Sequence, residues 1–69
     1  MTLQDMLNAM RRSGWRVGAH NDFYLSHSEQ WKTFWLFTHP ETSAYVEAER
    51  ATDYLAVQSC MRQAGVRGS

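Results

Sequence analysis

The side chains able to do acid–base, nucleophilic or metal chemistry are few here: His20, His27, His39, Cys60 and scattered carboxylates such as Asp22. Zinc sites draw on paired Cys or His residues close in sequence, and these histidines show no such spacing, so no metal and no cofactor is expected. Cys60 falls on the inner stripe of a helical pattern, which predicts a small buried hydrophobe and not a nucleophile. Ser26-His27-Ser28 lacks the glycine framework that positions an attacking hydroxyl. His27 and His39 fall at the ends of expected strands, in water. These residues point away from enzyme activity and toward a binding protein.

Composition narrows the classes further. A chain of 69 residues with 43% hydrophobic content is one folded domain, not a disordered segment. At this size folding buries only about 60% of the unfolded chain's surface, which leaves stability marginal and makes help from a partner plausible. Seven Lys and Arg balance seven Asp and Glu, a formal net charge of zero that argues against a domain built mainly to neutralise phosphates. It argues less strongly against a local basic patch. A single cysteine cannot form an internal disulfide, so the cytoplasm is the expected compartment. Leu3, Met6, Leu7 and Met10 have helical spacing instead of the continuous apolar run of a signal peptide, and neither export nor membrane insertion is expected.

The elements that must position any site read as follows. Thr2 caps a helix through Ser13, with Asp5 completing a near capping box, Arg11 and Arg12 in the last turn and Gly14 as the left-handed stop. Trp15 to Ala19 starts a first strand, continuing through an Asn21-Asp22 turn or bulge into Phe23 to His27. Ser28, Glu29 and Gln30 form a hairpin loop into a central strand, Trp31 to Thr38, which His39-Pro40 stops. Ala44 to Glu49 reads as a third strand by its alternation, or as the start of a long helix capped by Ser43 by its Ala and Glu content. Thr52-Asp53 caps a last helix that ends at Ala64, with Gly65 as its stop. The expectation is one α+β domain over residues 1–65, αβββα, with a three-stranded antiparallel meander, both helices on one face, and a disordered tail at residues 66–69.

Trp31-Lys-Thr-Phe-Trp-Leu-Phe-Thr38 is apolar in both phases of a two-residue period. If Val46 faces the helices together with Phe34 and Leu36, the core is Leu3, Leu7, Met10, Phe23, Leu25, Phe34, Leu36, Val46, Val57 and Met61. The opposite face then gathers Tyr24, Trp31, Trp35, Phe37 and Tyr45, an open aromatic surface suited to another protein or to homodimerisation. If a helix or the tail folds over these residues instead, they are core. The alternative site is a nucleic-acid surface made by Arg11, Arg12, Arg16, Arg62 and Arg67, whose plainer role is as solvated cations at helix ends.

The element order and length resemble the double-stranded RNA-binding domain. That family meets phosphates with a lysine-rich start to its last helix, where this chain has Thr52-Asp53-Tyr54-Leu55-Ala56, an acid and no lysine. Aromatics on a sheet are also similar to those of single-strand binders, which stack bases inside a positive groove. The run Asp22-Phe23-Tyr24-Leu25, Thr33-Phe34-Trp35-Leu36-Phe37-Thr38-His39-Pro40, Tyr45-Val46-Glu47-Ala48-Glu49 and Thr52-Asp53 resembles small accessory proteins of phages and prophages. That resemblance implies a non-enzymatic protein that binds and modulates a host or phage protein, counter-defence inhibitors of the anti-CRISPR kind included.

Overall fold

A computed structural model describes residues 1–67. Its order is α1 (Leu3–Arg12), β1 (Arg16–Leu25), β2 (Gln30–His39), β3 (Ala44–Arg50) and α2 (Asp53–Ala64). The strands pair antiparallel in the order β1-β2-β3, so the expected α+β meander is the fold and the segment after Ser43 is a strand.

Local chemistry accounts for where each element starts and stops. Thr2 Oγ1 accepts from the Asp5 backbone N–H at 3.1 Å while the Asp5 carboxylate accepts from the Thr2 N–H at 3.0 Å, a full capping box. The Thr2 backbone N–H, followed by the Thr2 side chain, holds the Asp5 carboxyl below its usual range. Gly14 takes φ +92°, where a side chain would be strained, and the Trp15 N–H returns to the Met10 carbonyl at 2.9 Å. Thr52 Oγ1 caps α2 through the Leu55 N–H, and Gly65 closes it in the left-handed region at φ 70°. Past Gly65, the Val66 N–H bonds the Met61 carbonyl and its side chain packs against the core; Gly68 and Ser69 of the expected tail lie outside the described residues.

The irregularity in β1 falls at Gly18, between Val17 and Ala19, and not at Asn21-Asp22, which pair regularly with Phe34 and Thr33. A Cβ on Gly18 would come to 3.2 Å from the Thr38 methyl, a tight contact that the side chain of Thr38 would have to yield to by a few tenths of an ångström.

Both helices cover one side of the sheet, and the core between them joins Met6, Ala9 and Met10 of α1, Ala56, Val57, Cys60 and Met61 of α2, and Trp35, Phe37, Val46 and Ala48 of the strands. This reverses the expected assignment of faces. Phe37 pairs with Val46 and Trp35 with Ala48, and directly opposed residues in an antiparallel pair share a face. The pairing follows from the turn Pro40–Ser43, where Ser43 at φ 60° donates to the His39 carbonyl and pins His39 opposite Ala44. A register one residue different would have exchanged the two sets. Trp35 and Phe37 are therefore core, 7% and 1% exposed, and are not available to a partner as expected. Phe34 and Leu36, with Phe23 and Leu25 of β1, leave the expected core for the far face of the sheet. Leu3 and Leu7 pack at the core's margin, while Met10, Val46, Val57 and Met61 are buried as expected.

Candidate functional site

The far face of the sheet has no second layer among the described residues. Its centre is Phe34, paired to Asn21 on one side and Glu49 on the other, and Leu36, paired to Ala19 and Glu47. Phe23 lies opposite Lys32 and Tyr45 opposite Thr38, so the apolar strip runs diagonally across the strands. The three helix-side residues of β2, Thr33, Trp35 and Phe37, are buried, whereas Phe34 and Leu36 between them are only partly exposed. A central strand that is apolar on both sides normally has a layer on both sides. This one has a layer on one.

Of the five aromatics expected at a partner surface, Tyr45 alone lies on that bare face, 64% exposed. Tyr24 and Trp31 lie opposite each other on the helix side of the sheet, ring centroids 5.3 Å apart, where the β1–β2 hairpin extends past the helices. They are 49% and 65% exposed. The expected surface thus divides into a core pair, an exposed hairpin pair and one tyrosine across the sheet. Phe23, Phe34 and Leu36 were the residues sequence reasoning missed, because an apolar residue in a central strand reads as core whichever face it takes.

A polar cluster lies beside the hairpin pair, at the start of α2. Asp53 Oδ1 accepts from the Thr33 hydroxyl at 2.8 Å and from Trp35 Nε1 at 3.0 Å, and His20 Nε2 lies at 3.2 Å. His20 also stands 3.3 Å from Asp22 Oδ1 and stacks on Trp35 with ring centroids 4.0 Å apart. The Trp35 indole and the Thr33 hydroxyl, followed by His20, hold the Asp53 carboxyl below its usual range against the opposing effect of burial. Donor atoms of His20, Asp22 and Asp53 all fall within 4.8 Å of one another. Since the Asp53 oxygen facing them already takes the two buried donors, the cluster works as a pin between α2 and the sheet. A buried indole needs a hydrogen-bond acceptor, and that was the one sequence signal for it.

His39 Nε2 donates to the Ser13 carbonyl at 3.1 Å and its ring meets Trp15 edge-on, which ties the end of β2 to the end of α1. Cys60 is buried, its Sγ 3.7 Å from the Trp35 carbonyl, and burial pushes its thiol up to about 11. The five arginines of the alternative surface are all exposed. Among the described residues no helix is long and apolar enough to cross a membrane. Comparison with known families, curated proteins and solved structures gives no match, so the reading of the site rests on its geometry.

Proposed function

We propose that this protein is a non-catalytic cytoplasmic module that docks the bare face of its sheet on another protein or on a second copy of itself. One observation carries the reading: Phe34 and Leu36 stand at the centre of a three-stranded sheet that, among the described residues, has a helical layer on the opposite side alone. Strands about 4.8 Å apart and a rise of about 3.3 Å per residue give the face a span of a few hundred Å². The apolar strip of Phe23, Phe34, Leu36 and Tyr45 takes up part of that span, between Asn21, Lys32, Glu47 and Glu49. Tyr45 on this face is of a residue type that dominates interface energetics, while Tyr24 and Trp31 stand on the helix side of the hairpin. In this role the protein acts as small phage or prophage accessory proteins do, modulating or inhibiting the protein it covers.

The test is light scattering and affinity capture with wild type and Phe34→Ser, circular dichroism confirming that the variant stays folded. A wild-type dimer that the variant converts to a monomer identifies the second copy as partner. A wild-type monomer that retains a protein which Phe34→Ser releases identifies another protein. If the two behave alike in both assays, the bare face is not a binding surface.

A further inference from the structure

We infer that the end of the domain where both helices stop is a contact surface for the phosphate backbone of a nucleic acid. Each connection in the chain reverses its direction, so α1, β2 and α2 run one way and β1 and β3 the other. The Tyr54 hydroxyl donates to the Met1 carbonyl at 3.0 Å, which places the two helix starts together. At the other end His39 meets the Ser13 carbonyl, and Gln63 Nε2 donates to the Glu47 carbonyl at 2.9 Å. Arg11 and Arg12 in the last turn of α1, Arg16 at the first position of β1, Arg62 in the last turn of α2 and Arg67 just beyond it therefore gather at one end. They are five of the seven Lys and Arg in the chain.

The acids sort the other way. Asp5, Asp53, Asp22, Glu29 and Glu49 belong to helix starts, the β1–β2 hairpin and the end of β3, at the opposite end, with Lys32 and Arg50 among them. Glu41 stands with the arginines in the β2–β3 loop, and Glu47 lies midway along β3. Among the described residues the close contacts of a carboxylate with a basic side chain are those of Asp22 and Asp53 with His20, so no described carboxylate is paired with the five arginines. Each helix C-terminus carries about half a negative charge, which offsets roughly one of the five positive ones. The zero net charge thus conceals a dipole along a molecule 39 Å in its longest extent.

The arginines are carried by four separate segments, α1, β1, α2 and the segment after α2. A lone phosphate would need convergence; a backbone with repeated phosphates fits charges carried on separate segments, and the guanidinium fork matches phosphate oxygens two at a time. Beside Arg11 and Arg16 a groove of about 660 Å³ exposes Gln4 and Trp15 along with Glu41. It offers an amide and an indole next to the charges. Arg16, opposite Thr38 in the row of Tyr45, stands at the margin of the bare sheet face, whereas Arg11, Arg12 and Arg62 belong to the helical layer on the other side.

The experiment is fluorescence anisotropy of labelled single-stranded and duplex DNA of about 20 nucleotides or base pairs, titrated with full-length protein from about 25 to 200 mM NaCl. Binding of either probe is expected, with log K falling against log salt at a slope of about −3.5 to −4.5 for duplex and about −3 to −3.5 for single-stranded DNA, the values for four or five phosphate contacts. The double variant Arg11→Gln/Arg16→Gln should bind at least tenfold more weakly with a slope shallower by about 1.5, while Lys32→Gln/Arg50→Gln at the other end changes neither. No binding at about 25 mM salt, or equal loss in both double variants, overturns the assignment. So does displacement of the probe by poly-glutamate at equal charge concentration, which would make an acidic protein segment the partner.

Discussion

Trp35 Nε1 donates to Asp53 Oδ1 across 3.0 Å, joining the middle of the central strand to the first residue of the last helix. The same oxygen takes the Thr33 hydroxyl, so two donors that the helical layer removes from water are met by one carboxylate. Removing it strands both. Asp53→Ala is expected to cost about 1–3 kcal/mol, the penalty for buried donors left without a partner. Asp53 is also one of the groups through which stability should follow pH. Its carboxyl titrates lower in the native state than its unfolded value of about 3.9, because the Trp35 and Thr33 hydrogen bonds favour the charged form. The stabilisation is complete above the unfolded value and is lost as pH falls through the native one. Urea midpoints measured from neutral pH down to about pH 2 should fall in the acid range for wild type and fall less for Asp53→Asn.

The reversal of faces separates two pairs of neighbouring substitutions. Trp35→Ala and Phe37→Ala hollow out the core and are expected to cost about 3–5 kcal/mol each. A domain of this length has about 3–10 kcal/mol in total, so either variant should lose its cooperative transition. Phe34→Ser and Leu36→Ser, one residue away but across the sheet, should cost about 1 kcal/mol and leave the far-ultraviolet spectrum unchanged. Thermal melts of the four variants decide it: equal losses in both pairs would mean the far face is packed as tightly as the core.

These contrasts show what was legible in the residues and what was not. Capping at Thr2 and Thr52, the stops at Gly14 and Gly65, and the alternation of Ala44 to Glu49 are local signals, and each element they mark is present. The face of β2 is not a local property. Both phases of Trp31 to Thr38 are apolar, and the choice rests on the pairing of Phe37 with Val46 that a left-handed Ser43 sets in the turn. The missing acceptor for the Trp35 indole was the remaining clue, and it lies 18 positions away at Asp53. Charge is a second case. A balance of seven against seven says nothing about placement, which the alternation of chain direction decides.

Cys60 provides a clock for opening of the core. Its thiol is raised to about 11 by burial, so at neutral pH it is neutral and enclosed. Native protein should react with an excess of a thiol reagent at the rate of unfolding or at a rate scaled by the open fraction, several hundredfold or more below the urea-unfolded chain. The sign of the alkaline effect is fixed as well. The unfolded thiol releases its proton near the model value of 9.0 while the native one holds it to about 11, so the stability it contributes is present below pH 9 and lost as pH rises toward 11. Cys60→Ala should lose that alkaline component while retaining the acid limb due to Asp53. Rapid labelling of the native protein at pH 7 would show that the helical layer opens without global unfolding.

Gly14 and His39 can be separated by a double-mutant cycle. Gly14 stands at φ +92°, and a Cβ there would lie 2.6 Å from His39 Nε2, the atom that donates to the Ser13 carbonyl. Gly14→Ala therefore combines backbone strain of about 1–2 kcal/mol with displacement of the imidazole and loss of its hydrogen bond. In a His39→Ala background the second part is already gone, so the same substitution should cost only the strain. Urea denaturation of the wild type, the two single variants and the double variant gives the coupling energy, expected at about 1 kcal/mol, with the double variant more stable than the sum of the singles requires. A coupling near zero would mean that His39 moves aside freely and that Trp15 alone holds the end of β2 to α1. A double variant as stable as His39→Ala would mean that the backbone at Gly14 relaxes to a conformation alanine accepts.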